Sequence, residues 1–129
     1  MNIFTVDLKN QPGELAHLCD SLAERGINIE LAGITAGDHG LVSFTASDDE
    51  AARGALDSAS VPYTVHPALQ IKSPDRPGEA AKIARKLSDA HVNIDTLLPI
   101  SICGGEVVLA ICVDKPDDAR RALGEQVVG

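Results

Sequence analysis

The feature that most constrains this chain is that it repeats itself. Moving the sequence along by 65 residues lays Pro12-Gly13-Glu14 on Pro77-Gly78-Glu79, and Ile27-Asn28-Ile29 on Val92-Asn93-Ile94. Leu22 then meets Leu87, Gly40 meets Gly105 and Val42 meets Val107. The segments Ile3–Ser47 and Ala68–Cys112 align with no gap. A slip of two residues past that point brings Ala52-Arg53 onto Ala119-Arg120, and Ala55-Leu56 onto Ala122-Leu123. The matches fall on periodic apolar positions and turn residues, the signature of a duplicated structural unit. The chain therefore reads as a tandem, residues 1–66 and 67–129, with little more than Pro67 between the expected last strand of one unit and the first of the next. So short a link favours units packed together over units on a flexible tether.

Each unit has a readable order of elements. Phe4, Val6 and Leu8 alternate with polar Thr5 and Asp7, the period of a half-buried strand. Leu15, Leu18, Cys19 and Leu22 form one helical stripe, repeated as Ala80, Ile83, Ala84 and Leu87. Pro12 and Pro77 are expected in the first turn of these helices, where a missing N–H costs nothing. Gly26 should close the first helix in the left-handed conformation, with His91 holding that place in the copy. A strand from about Ile27 to Thr35, a turn over Gly37-Asp38-His39-Gly40 and a strand over Leu41–Ala46 follow; the copy turns at Gly104-Gly105. Second helices are expected at Asp49–Ala59 and Pro116–Leu123. The closing strand is placed at Val61–Val65, with Gln126–Val128 as a stub of its counterpart. The sum is an α+β fold: two ferredoxin-like βαββαβ units, antiparallel sheets with helices on one face.

Charge and composition narrow the function. With 19 acidic against 11 basic residues the formal net charge is −8. That opposes nucleic-acid binding through phosphates and docking on anionic membrane. Aromatic residues make up only 2% of the chain, which leaves no stacking surface for RNA on such a sheet. No apolar run approaches the roughly 20 residues of a membrane span. Residues 1–5 lack the charged and apolar regions of a secretory signal, and three irregularly spaced cysteines suit a reducing compartment, so a cytoplasmic location is expected. His17 and Cys19 point different ways on a helix, and Cys103 and Cys112 lack metal-ligand spacing, so no metal or other cofactor is expected. No nucleophile, phosphate-loop or acid–base motif stands out, which argues against an enzyme. Asp48-Asp49-Glu50 and Asp117-Asp118 sit where acids stabilise helix starts. The strand holding Val107, Leu109 and Ile111 on its helix side also carries Val108, Ala110 and Cys112 on the other. A strand apolar on both faces should be covered on both, by the other unit or by another subunit. A homodimer is the simplest closed assembly.

At these same residues the chain resembles the ACT domain family, small regulatory modules of amino-acid metabolism. The resemblance lies in Asn10-Gln11-Pro12-Gly13-Glu14-Leu15 with Gly26-Ile27-Asn28-Ile29, and in Asp75-Arg76-Pro77-Gly78-Glu79 with Val92-Asn93-Ile94. The first copy carries Asn10 where the family has an acid, and the second carries His91 in place of glycine. The resemblance implies sheets paired across units into eight strands, and an amino-acid effector held near the strand–helix loop and the asparagine turn. In the first copy the backbone N–H groups of Gly13, Glu14 and Leu15 could face the ligand carboxylate at a helix N-terminus. Gly13 permits close approach, Asn10 could accept from the ammonium, and the Asn28 amide could serve either group. Gln11 and Ile29 flank these. In the second copy the corresponding set is Asp75, Arg76, Gly78, Glu79, Ala80, Asn93 and Ile94. The bland reading stays open: asparagine after a helix commonly bonds its own backbone, and Pro-Gly after a strand needs no ligand. The function implied is a non-catalytic regulatory module that binds an amino acid and signals to a partner enzyme of amino-acid metabolism. The alternative is an association subunit with no ligand.

Overall fold

The computed structural model describes residues 1–129, which divide into two compact units, Asn2–His66 and Pro67–Gly129 with Met1. The first unit contains β1 (Asn2–Lys9), α1 (Glu14–Ala23), β2 (Ile29–Ala36), β3 (His39–Ala46), α2 (Asp49–Ser58) and β4 (Thr64–Pro67). The second contains β5 (Leu69–Pro74), α3 (Glu79–Asp89), β6 (Ile94–Cys103), β7 (Glu106–Val113), α4 (Pro116–Leu123) and a 3-10 turn at Gly124–Gln126. The fold is α+β, with two sheets in the orders β2-β3-β1-β4 and β5-β7-β6. These are separate sheets of four and three strands, so the single eight-stranded sheet expected from the resemblance is not formed within one chain.

Each unit buries its own apolar face. In the first, Leu18 and Leu22 of α1 and Ala52, Ala55 and Leu56 of α2 close over Phe4, Val6, Val42 and Phe44. The chain's three aromatic rings gather here: Phe4 stacks on Phe44 with centroids 5.2 Å apart and lies 5.9 Å from Tyr63. In the second, Ile83, Leu87, Ala119 and Leu123 cover Leu69, Ile71, Leu109 and Ile111, an aliphatic core throughout. Ala110 and Cys112, on the other face of β7, are also buried.

Helix ends follow the sequence closely. Gly26 (φ 68°) and His91 (φ 57°) both take the left-handed conformation. The next residue in each case donates back into the helix, Ile27 N–H to Leu22 O at 3.2 Å and Val92 N–H to Leu87 O at 2.8 Å. Pro12 and Pro77 lie elsewhere than expected. The helices begin at Glu14 and Glu79, and each proline sits in a turn before them. Gly13 (φ 91°, ψ −18°) and Gly78 (φ 89°, ψ −10°) follow the prolines in the geometry of a type II turn, where only glycine is comfortable. The turn closes by bonds of 3.4 Å from Glu14 N–H to Gln11 O and from Glu79 N–H to Arg76 O.

Two further expectations are corrected. The closing strand begins at Thr64, not Val61. The Val61 N–H is already used to cap α2, donating to Leu56 O at 3.0 Å past a left-handed Ser60. Its counterpart survives as a single bridge between Val127 and Ile71. The ungapped alignment also fails inside β6. Phe4 pairs with Phe44, whereas Leu69, its counterpart, pairs with Ile111. The extra residues therefore lie before β7. They sit at two irregularities in β6, between Ile94 and Thr96 and between Pro99 and Ser101, each the mark of a bulge that takes up one residue. Gly105 accordingly matches Asp38 of the first hairpin turn, not Gly40.

Candidate functional site

In the first unit a groove of about 450 Å³ opens where β1 hands over to α1. Its walls are the apolar Leu8, Leu15, Leu31 and Val42, and its rim carries Lys9, Asn10, Gln11, Glu14 and Thr35. Strand register explains the opening. Leu31 lies opposite Phe44, Gly33 opposite Val42 and Thr35 opposite Gly40, so all three face the helix side of the sheet. That part of β2 extends beyond the helices, and Gly33 supplies no side chain to fill it. A Cβ there would sit 3.6 Å from the Leu41 carbonyl oxygen and from Val42 Cγ2. Leu15, expected in the core stripe, is 46% exposed and walls the groove instead.

The polar groups at the rim are held differently from one another. Gln11 Nε2 donates to Glu14 Oε1 at 2.8 Å, leaving the rest of that carboxylate's accepting capacity open. Asn10 is fastened to the β2–β3 turn, its backbone N–H donating to Asp38 O at 2.9 Å and its amide to Gly37 O at 3.5 Å. Lys9 projects at the rim with no carboxylate partner. An apolar cleft with a few convergent polar groups of both signs suits a small zwitterion with an uncharged side chain.

The sequence-expected residues are only partly brought together. Asn10, Gln11, Glu14 and Leu15 line the groove, and Gly13 shapes the turn behind it. Asn28 and Ile29 do not join them. β1 and β2 both run antiparallel to β3 and hence in the same direction. Asn10 follows the end of one and Asn28 precedes the start of the other, about 25 Å apart at the rise of an extended strand. Asn28 instead forms a reciprocal backbone clasp: its N–H donates to Ser47 Oγ at 3.0 Å and its carbonyl accepts from Ser47 N–H at 2.8 Å. Asn93 repeats the clasp with Asp114, at 2.8 and 3.2 Å, and its side-chain amide donates to Asp95 at 2.8 Å. Within a unit the asparagines thus act as turn formers, and Ile29 and Ile94 pack at the edges of the two cores.

The loop of the second unit is closed on itself. Arg76 Nε and Nη2 lie 2.9 and 2.8 Å from Glu79 Oε1, and Lys82 Nζ lies 3.4 Å from the same oxygen. Glu79 is buried. The Arg76 hydrogen bond holds its carboxyl below the usual glutamate range, against the opposing effect of desolvation. Asp75 keeps only the backbone tie of its counterpart, N–H to Gly105 O at 2.8 Å. Gly78 forms the turn, and Ala80 stands where Leu15 walls the groove.

No protein-family model and no curated protein matches the sequence. Solved structures do. Protein BT0572 from Bacteroides thetaiotaomicron matches with a TM-score of 0.85 at 24% identity, over 98% of this chain and 88% of that one. The ligand-free regulatory subunit of aspartate kinase from Thermus thermophilus matches with a TM-score of 0.70 at 21% identity, over 97% and 90%. The regulatory subunit from Thermus flavus gives 0.67 at 18%, over 97% and 90%. The fold is that of a tandem ACT protein.

Within this tandem ACT fold, sequence reading found the loop side of the groove and missed the sheet side: Lys9, Leu31, Gly33, Thr35 and Gly40. The available signal was Gly33, since a glycine inside a strand commonly marks a gap or a close approach. Elsewhere in the tandem ACT fold no group of three or more His, Cys, Asp or Glu side chains is placed to hold a metal ion. No helix is long and apolar enough to cross a membrane.

Proposed function

We propose that the chain is a non-catalytic regulatory module that binds an amino acid in the groove of the first unit and passes its occupancy to a partner enzyme. The groove carries this reading. Lys9 offers a cation to an α-carboxylate, Glu14 offers acceptors to an α-ammonium, and Leu8, Leu15, Leu31 and Val42 line the space for a side chain. Support for the regulatory role comes from the likeness, over nearly the whole chain, to structures described as regulatory subunits of aspartate kinase. Coupling requires the ligand to prefer one arrangement of the protein, because equal affinity for two states shifts neither. The parts that could carry such a preference meet at the groove: the β1–α1 loop and the β2–β3 hairpin, joined through Asn10. Assembly as a homodimer in the cytoplasm completes the reading.

A thermal-shift series with each proteinogenic amino acid tests it. A true ligand raises the transition in a saturable way, by about 2.7 kcal/mol of stabilisation at a hundred times its dissociation constant. Gly33→Leu, which places a side chain in the groove, abolishes the shift. If no amino acid moves the transition, the reading is wrong and association without a ligand takes its place. One observation favours that second reading: Ile34 (70% exposed) and Leu41 (42%) are directly paired in register and leave an apolar spot on the edge of the first sheet.

A further inference from the structure

The two copies of the duplicated loop do not offer a ligand the same chemistry. In the first, the carboxylate of Glu14 has one neutral donor, Gln11. In the second, Arg76 replaces Gln11 and Lys82 replaces His17 in the repeat, and both cations sit on Glu79 Oε1. An incoming ammonium would have to displace Arg76 or stand as a third cation on one carboxylate. The carboxylate end fares no better. The counterpart of Lys9 is Pro74, and the neighbouring Lys72 is already paired with Glu106 at 3.3 Å. The floor is altered as well. Through the register of β6, Pro99 stands opposite Leu109 as Gly33 stands opposite Val42. A pyrrolidine ring thus occupies the position whose lack of a side chain opens the first groove.

We infer that duplication has left one binding unit and one self-closed unit, so that each chain takes up a single effector molecule, in the groove of Asn2–His66. The inference rests on the reading that this groove binds an amino acid. In the second unit the Arg76–Glu79–Lys82 cluster takes the place of the ligand, with its guanidinium acting where an effector's ammonium would.

Isothermal titration of the full chain with each proteinogenic amino acid in turn tests this. The expected result is a stoichiometry of one per chain. Binding is lost in Gly33→Leu and weakened about tenfold or more in Glu14→Gln, the loss expected for a charge-assisted bond. It is unchanged in Arg76→Gln. Circular dichroism establishes that each variant is folded, and the wild-type stoichiometry is a readout that needs no variant. Two molecules per chain overturn the inference while leaving the binding reading intact. Binding that survives Gly33→Leu and fails in Arg76→Gln puts the site in the second unit, and overturns both the inference and the placing of the effector in the first groove. Absence of binding by every amino acid overturns both.

Discussion

Glu14 and Glu79 occupy the same place in the repeat, and their neighbours make them different residues. Glu79 is buried under two cations, and its lowered pKa ties its charge to folding. The native state binds this proton less readily than the unfolded chain does. Its contribution is therefore complete above the unfolded value and fades as pH falls through the lower folded one. Glu79→Gln should accordingly destabilise the protein at neutral pH, and the gap from wild type should close as pH drops through and below the ordinary glutamate range. Urea unfolding across that range measures it. A gap independent of pH would mean that the side chain matters for packing and not for charge. Sequence reading saw the two glutamates as equivalent members of the two loops. It had no means of seeing that Arg76 reaches back to one of them while only Gln11 reaches the other.

Among elements, the helix ends were the most legible part of the chain, because their geometry is decided by one residue. Gly26 and His91 were both assigned the left-handed position, and both occupy it. His91 carries a Cβ that this conformation penalises. His91→Gly should therefore stabilise the protein by up to about 1 kcal/mol, the relief of strain less the added freedom of the unfolded chain. The denaturation midpoint should rise with an unchanged slope. The prolines were less legible. Pro-Gly fits both a helix start and a type II turn before one, and only the backbone shows that the second holds. The groove's far wall was harder still, since Gly33 matters only through its register with Val42, which no periodicity in β2 reveals. The asparagines are a related case. The family likeness set Asn28 beside the loop, while within its own unit strand direction puts it at the other end of the sheet.

For the molecule as a whole, the duplication was plain in the sequence and the two buried cores follow from it. The three cysteines provide a global test of this architecture. Cys103 is exposed beside the Gly104-Gly105 turn, Cys19 is half-buried on α1, and Cys112 is buried. Desolvation pushes the Cys112 thiol up, which lowers its reactive thiolate fraction further. A thiol reagent should modify Cys103 first and Cys112 only at the rate of unfolding. Rapid labelling of Cys112 in the native protein would contradict the burial of that face of β7.

The two bulges of β6 have a consequence for how such a chain can change. A strand that gains one residue without a bulge turns inside out from that point onward, sending its core residues to water. In β6 each bulge takes up one residue on the spot, so Ile94, Leu97 and Ile102 all stay opposite helix-side residues of β7. A gene carrying this fold can therefore lengthen one half codon by codon, with no intermediate whose core is inverted. The twin halves were free to drift apart in length, and with it in the shape of their grooves, while each remained a working fold.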